Sequence, residues 1–298
     1  MVAVTGSDRR VRAVAAVSDG VSEGVLLLAG VPLGDPADAS ARLRDALATA
    51  DVVAAEDTRR LGRLAASLGV TVGGRLVRFD ERAERGRTPE LVAAIRDGAT
   101  VLVVSDGGMP VVSDPGYRVV TACVGAGLPV RCLPGPSAVL AALAVSGLPS
   151  DRFCFEGFAP RDDRPRRTWL RTLAAETRTT IFFESPRRLA SLLVVAVAEL
   201  GGERRAAICR ELTKTHEEVV RGSLAEVSAW ASARDVLGEI TVVLAPATPV
   251  TPEPEDLAAE VLGLVADGRK MRDAAREVGE AHGVSTKALY DAALRARE

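Results

Sequence analysis

Short apolar, β-branched runs alternate with segments of helical spacing along most of the chain. Val25–Pro32 is apolar and ends in a proline- and glycine-bearing turn, so it predicts a buried strand. Ala39–Ala50 predicts a helix, Val52–Ala55 a strand and Arg59–Leu68 a helix. Arg75–Phe79 predicts a strand, Pro89–Asp97 a helix, Thr100–Ser105 a strand, Tyr117–Ala126 a helix and Pro129–Leu133 a strand. Strict alternation of this kind predicts a mostly parallel α/β sheet.

Pro134-Gly135-Pro136-Ser137 punctuates the pattern, and Ala138–Val145 follows as a helix rich in small residues. Phe153–Phe158, Thr179–Glu184, Arg204–Glu211, Glu217–Arg221 and Glu239–Ala245 predict strands, with helices at Arg164–Glu176, Pro186–Leu200 and Leu224–Ser232. Short links between the later strands predict antiparallel pairing. Pro246 to Glu255 holds four prolines, a stiff linker. Beyond it Leu257–Asp267, Met271–His282 and Ser285–Arg297 predict three helices, the last two with a helix-turn-helix look. The expected organisation is therefore a flexible leader over 1–22, an α/β domain over 23–136, an α+β domain over 137–246, a linker over 247–255 and a helical tail over 256–298.

Composition narrows the class. The chain has 298 residues, 47% of them apolar, with a net charge of −2, which excludes a disordered chain. The best apolar run, Val25 to Val31, is far short of the ~20 residues that span a bilayer, and no secretory signal opens the chain. Four cysteines without C-x-x-C spacing predict reduced thiols in a cytoplasmic protein and no metal site. Aromatic residues are only 3%, which argues against a base-stacking RNA module. Of 38 basic residues only Lys214, Lys270 and Lys287 are lysine. Where lysine persists in so arginine-rich a chain, a compact or titratable amine is the property that arginine lacks.

Candidate chemistry gathers at strand ends. Ser105-Asp106-Gly107-Gly108-Met109-Pro110 follows the most apolar strand, where open α/β sheets bind ligands; the competing interpretation is a tight turn, with Ser113 or Asp114 capping the next helix. Glu56-Asp57 at another strand end predicts a cap plus a solvated charge. Glu184-Ser185-Pro186 predicts an N-cap at Ser185 and leaves Glu184 free for a site. Lys214 lies near His216. Arg161 to Arg171 carries an excess of positive charge that suits phosphate contact, with a solvated helix face as the equal alternative.

In order and spacing these segments resemble the tetrapyrrole methylase superfamily and, within it, the ribosomal RNA small subunit methyltransferase I family. The matching pieces run from Ala29-Gly30-Val31-Pro32-Leu33-Gly34-Asp35 through Glu56-Asp57-Thr58-Arg59, Ser105–Gly116 and Pro134–Ala138. Gly147-Leu148-Pro149, Glu156–Arg161, Glu184-Ser185-Pro186 and Glu211-Leu212-Thr213-Lys214 complete the set. The resemblance implies a two-domain α/β fold (a class III methyltransferase) with a small C-terminal helical domain. It also implies S-adenosyl-L-methionine in the interdomain cleft, a homodimer, and 2′-O-methylation of a cytidine in the decoding region of 16S ribosomal RNA on the small ribosomal subunit.

Carried over by position, the cofactor would meet Pro32, Asp106, Gly108, Met109, Pro110, Val112, Ser113, Ser137, Ala138, Phe183 and Leu212. Met109 stands where the family usually has threonine, and Gly107 where it has alanine, so a hydroxyl contact at 109 is absent while backbone contacts remain. Lys214 is the expected base or alkoxide stabiliser, with Glu184 orienting it or the ribose; Glu184 and His216 compete for the role of base. Arg161, Arg164, Arg166 and Arg167 are the expected RNA contacts. A tetrapyrrole or other small-molecule methylase is the first alternative. A regulator reading nucleic acid with its tail is the second, discounted because the tail from Glu255 has nine acids against seven bases.

Overall fold

The computed structural model describes residues 24–248 and 252–297; the expected leader lies outside the described residues. The first half contains β1 (Val25–Ala29), α1 (Ala41–Thr49), β2 (Val52–Ala55), α2 (Thr58–Ser67), β3 (Arg75–Arg78), α3 (Glu81–Arg96), β4 (Thr100–Val104), α4 (Tyr117–Gly125) and β5 (Val130–Leu133). Its sheet has the order β3-β2-β4-β1-β5 and every pair is parallel. β2 is buried on both faces, which is why it reads as a continuous apolar run without alternation. Leu43, Leu47 and Leu61 of α1 and α2 pack on one side with Val53 and Leu102. Leu91 and Ile95 of α3 and Val119 of α4 pack on the other with Val101 and Val103.

The order places β1 beside both β4 and β5, so the chain leaves the sheet in opposite directions from neighbouring strands. A crevice opens there at the carboxyl ends. The loops after β1 and β4 meet in it through a two-way main-chain bridge: Val31 N donates to Gly108 O at 2.9 Å, and Gly108 N to Val31 O at 3.0 Å.

The second half contains α5 (Ala138–Ser146), β6 (Phe153–Phe158), α6 (Asp163–Leu173), β7 (Thr179–Glu184), α7 (Pro186–Leu200), β8 (Arg205–Arg210), β9 (Glu218–Ser223), α8 (Leu224–Ser232) and β10 (Ile240–Leu244). The sheet order is β6-β7-β10-β8-β9, with β6 and β7 parallel and the other pairs antiparallel. α6, α7 and α8 cover one face through Leu170, Leu192, Leu193 and Val227. α5 covers the other through Val139, Ala142 and Leu143 against Ile181, Ala207 and Val243. Both sheets belong to one compact unit that ends at Pro246. The tail is a second unit: α9 (Ala258–Ala266), α10 (Met271–His282) and α11 (Thr286–Arg297) surround Val261, Ala275, Val278 and Leu289.

Two local expectations are corrected. α3 begins eight residues before Pro89, which sits inside the helix. Asp80 caps its start by accepting from Ala83 N at 2.8 Å, and Glu81 and Glu84 suit the positive end of the helix. The polar run 81–88 carries no apolar periodicity, so the helix was invisible to that pattern. α4 is capped neither by Ser113 nor by Asp114. The buried Glu84 Oε1 accepts from Gly116 N at 3.0 Å and from Arg118 N at 2.9 Å. Glu84→Ala strands both donors at the end of the Ser105–Gly116 loop. A loss of about 1–3 kcal/mol is expected in urea unfolding, against under about 0.5 kcal/mol for the exposed Glu81→Ala.

Candidate active site

The loop after β4 is built for close approach. Ser105 Oγ donates to Gly108 O at 3.2 Å. Gly108 has φ +83°, and Gly116 has φ +136° with no room for a Cβ beside Val111. Val111 (φ 77°) and Ser113 (φ 65°) take left-handed conformations without being glycine. For a β-branched residue such as Val111 this is strained, and such strain concentrates at functional sites. The Pro134–Ser137 turn is brought alongside by a glycine contact: a Cβ on Gly135 would lie 2.6 Å from Gly30 O. Ser137 then starts α5 at the mouth of the crevice.

A cleft of about 470 Å³ opens between the two sheets. Of the expected cofactor residues, Asp106, Gly108, Met109, Val112, Ser113, Ser137, Ala138 and Phe183 line it. Pro32, Pro110 and Leu212 do not; all three are buried behind the wall, with Leu212 in the core beneath α5. Phe183 meets Phe155 and Phe158 edge-on, at centroid distances of 4.9 and 5.4 Å, and Phe158 also lines the cleft while staying 59% exposed.

Carboxylates dominate the cleft. Glu56, Asp106, Asp114 and Glu239 line it, with Arg60 and Lys214 as the cations. Asp57 caps α2 as expected, accepting from Arg59 N at 2.8 Å and Arg60 N at 3.1 Å. Glu56, its neighbour, is not the expected solvated charge: it accepts from Asp106 N at 3.2 Å, and burial raises its pKa. Asp106 accepts from Asp57 N at 3.0 Å and pairs with Arg60 at 3.0 Å, so this aspartate fixes the start of α2 to the loop. Asp114 is pushed up to about 7, first by burial and then by Glu56, with Asp106 and Glu239 adding and a hydrogen bond from Ser105 opposing.

Lys214 stands in a socket. Its Nζ lies 2.8 Å from Glu211 Oε1 and 2.9 Å from Glu239 Oε2, while Glu239 N donates to Glu211 Oε1 at 2.8 Å. Burial works to lower its pKa, but the two carboxylates outweigh it and the net shift is upward. Gly34 lets the lysine stem pass, since a Cβ there would lie 2.2 Å from Lys214 Cγ, and Gly238 (φ +94°) makes room for Glu211. Glu211 (φ 52°) and Thr213 (φ 62°) are left-handed too.

This arrangement bears on the expected roles. Lys214 is held as an ammonium, the form that suits an alkoxide stabiliser, one of its two expected roles. Glu184 does not orient it: although Glu184 borders the cleft, its side chain is fully buried. It pairs with Arg188 and accepts from Ser185 N at 2.6 Å, while Ser185 is the N-cap of α7 as expected but makes no side-chain capping bond. His216 is absent from the cleft wall, and its carbonyl accepts from Arg210.

The basic helix is largely neutralised. Arg166 is buried and donates to Pro160 O and Arg161 O, a structural role and not an RNA contact. Arg167 is taken up by Asp163 and Glu199, and Arg171 by Glu199. Arg161 and Arg164 remain exposed. The side chains that sequence reasoning missed are Asp114, Glu239 and Arg60. Asp114 was visible only as a turn residue, and Glu239 reaches the site by strand pairing of β10 with β7 and β8.

Comparison with known proteins agrees with this architecture. Residues 25–228 match the profile of the tetrapyrrole (corrin/porphyrin) methylases. The chain belongs to that methylase family and, within it, to the ribosomal RNA small subunit methyltransferase I family. The namesake of Mycobacterium tuberculosis (strain CDC 1551 / Oshkosh) is 61% identical over 93% of this chain and 97% of its own length. That of Mesorhizobium japonicum is 44% identical over 93% of each. Among solved structures, uroporphyrin-III-C-methyltransferase from Thermus thermophilus shares the fold, with a TM-score of 0.53 at 22% identity over 74% of this chain and 94% of that one.

The Asp114 shift has a measurable sign. Its folded pKa of about 7 lies above the ordinary 3.8, so its contribution to stability is full below the lower value and is lost as pH rises through the higher one. Asp114→Asn is expected to melt above the parent at about pH 8 and level with it at about pH 4. Equal melting at both pH values would mean that the carboxyl is solvated.

Proposed function

We propose that this methyltransferase transfers a methyl group from S-adenosyl-L-methionine to the ribose 2′-oxygen of a cytidine in the decoding region of 16S ribosomal RNA, acting on the small subunit as a homodimer. One observation carries the chemistry: a cleft rimmed by Glu56, Asp106, Asp114 and Glu239 also presents the ammonium of Lys214. A ring of carboxylates suits a positively charged donor, and a single fixed cation suits an oxygen that becomes negative. The glycine-bearing loop at Gly107 and Gly108 lets a ligand reach main-chain groups. Phe158 offers an exposed ring to an unstacked base. Tyr117 and Val124 expose one face of α4, the surface we assign to self-association.

The bound donor supplies a methyl group on a positively charged sulfur. The residues of the cleft do the rest. Asp106 and Glu56 fix the loop that lines the donor's site. Lys214 stabilises the ribose oxygen as charge develops, and the Asp114 carboxylate takes the proton that the hydroxyl gives up. Alignment of the two reactants contributes several kcal/mol on general grounds.

Transfer of tritium from methyl-labelled donor to the 16S RNA of undermethylated small subunits, with none to uroporphyrinogen, tests the substrate; the reverse result makes the protein a small-molecule methylase. Lys214→Arg is expected to abolish transfer with little change in donor affinity, because a planar, delocalised guanidinium does not place a compact charge between Glu211 and Glu239 as the ammonium does. Near-normal turnover would remove Lys214 from the reaction. Asp106→Ala is expected to weaken donor binding by calorimetry. The transfer rate is expected to rise with pH along a limb at or below about 7, since the donor's positive charge lowers the pKa of Asp114. That limb disappears in Asp114→Asn if the assignment is right, and persists in that variant if another group takes the proton.

A further inference from the structure

The tail is net acidic, yet its charges are sorted. Arg269 pairs with Glu277, Arg276 with Asp273, Arg295 with Glu255 and His282 with Glu260. Glu260, Asp267 and Glu277 line one groove, between α9 and α10. A second groove of about 500 Å³, between α10 and α11, is lined by Arg272, Thr286, Lys287 and Tyr290 and by no carboxylate. Arg272 and Lys287 are exposed, and neither has an ion-pair partner among the described residues. Lys287 is also one of only three lysines in the chain. Counting acids and bases along the tail conceals this face, because most of the acids are spent on other cations or lie elsewhere.

We propose that the Arg272–Lys287 face binds the phosphodiester backbone of the RNA substrate, a contact separate from the cleft. The two cations suit two phosphates. The Thr286 hydroxyl and the Tyr290 phenol are donors of the kind that bond phosphate and sugar oxygens. RNA is favoured over an acidic protein because the groove sets two cations without an ion-pair partner among the described residues beside the hydroxyl groups of Thr286 and Tyr290, a set that suits phosphate and sugar oxygens together. The proposal rests on RNA being the substrate, as argued above.

The test uses the full-length protein. Binding to deproteinised small-subunit RNA is measured between about 50 and 200 mM salt for the parent, for Arg272→Ala with Lys287→Ala, and for Arg269→Ala with Arg295→Ala, a control that removes two paired cations. Loss of two phosphate contacts is expected to make the slope of log affinity against log salt shallower by about 1.4–1.8 in the first variant, and by clearly less in the control. Donor affinity is expected to stay unchanged in both. Should the double variant lose helicity, Lys287→Gln, at an exposed position, gives half the slope change. An unchanged slope, an equal change in the control, or a parent that binds the RNA without salt dependence overturns the proposal. So does weaker binding to intact subunits with unaltered binding to bare RNA, which would make the partner a protein. A parent that binds donor but methylates no small-subunit RNA overturns the proposed substrate instead, a result distinct from any of these.

Discussion

The two-way bridge between Val31 and Gly108 is the constraint on which the site depends. It joins the loops that leave β1 and β4 just where the sheet order sends the chain in opposite directions. With those loops tied, Gly30 can lie against Gly135, and the turn that starts α5 arrives at the crevice. The second sheet is held to the first by the packing of Leu33 with the α5 core and by Thr213, whose hydroxyl accepts from Asp35 N at 3.4 Å.

The electrostatics follow from that geometry. Gathering carboxylates from β2, β4 and β10 into a half-buried space costs free energy, and Asp114 bears most of it as a raised pKa. Lys214 resolves the conflict on one side of the cleft and Arg60 on the other. The same clustering explains why Lys214 stays charged although it is partly desolvated. Glu184, by contrast, is a charge spent inside the molecule, where it joins β7 to α7 through Arg188.

Most of the fold was legible because its strands are apolar runs and its helices carry stripes, and because glycine and proline mark the ends. α3 was legible only from Pro89 onward, since its first turns are polar and carry no apolar stripe, the one side chain buried there being the carboxylate of Glu84. The cleft was legible where function depends on main-chain shape, as at Asp106–Met109 and Ser137. It was illegible where function depends on pairing between distant segments. Nothing near Glu239 in sequence announces that it closes on Lys214, and nothing in Arg166 distinguishes a buried clamp from a free cation. Charge density along the chain misled twice for this reason. It overstated the availability of α6, and it hid Arg272 and Lys287, exposed cations without an ion-pair partner among the described residues.

Val111, Ser113, Glu211 and Thr213 remain as left-handed residues without the excuse of glycine, two on each side of the cleft. Each such conformation carries roughly 1–3 kcal/mol of strain. A programme of thermostabilisation that ranked positions by conformational discomfort would therefore select these four first. Its gains in melting temperature would be drawn from the mould that gives the cavity its shape, so durability and catalytic competence are set against each other at the same few peptide units.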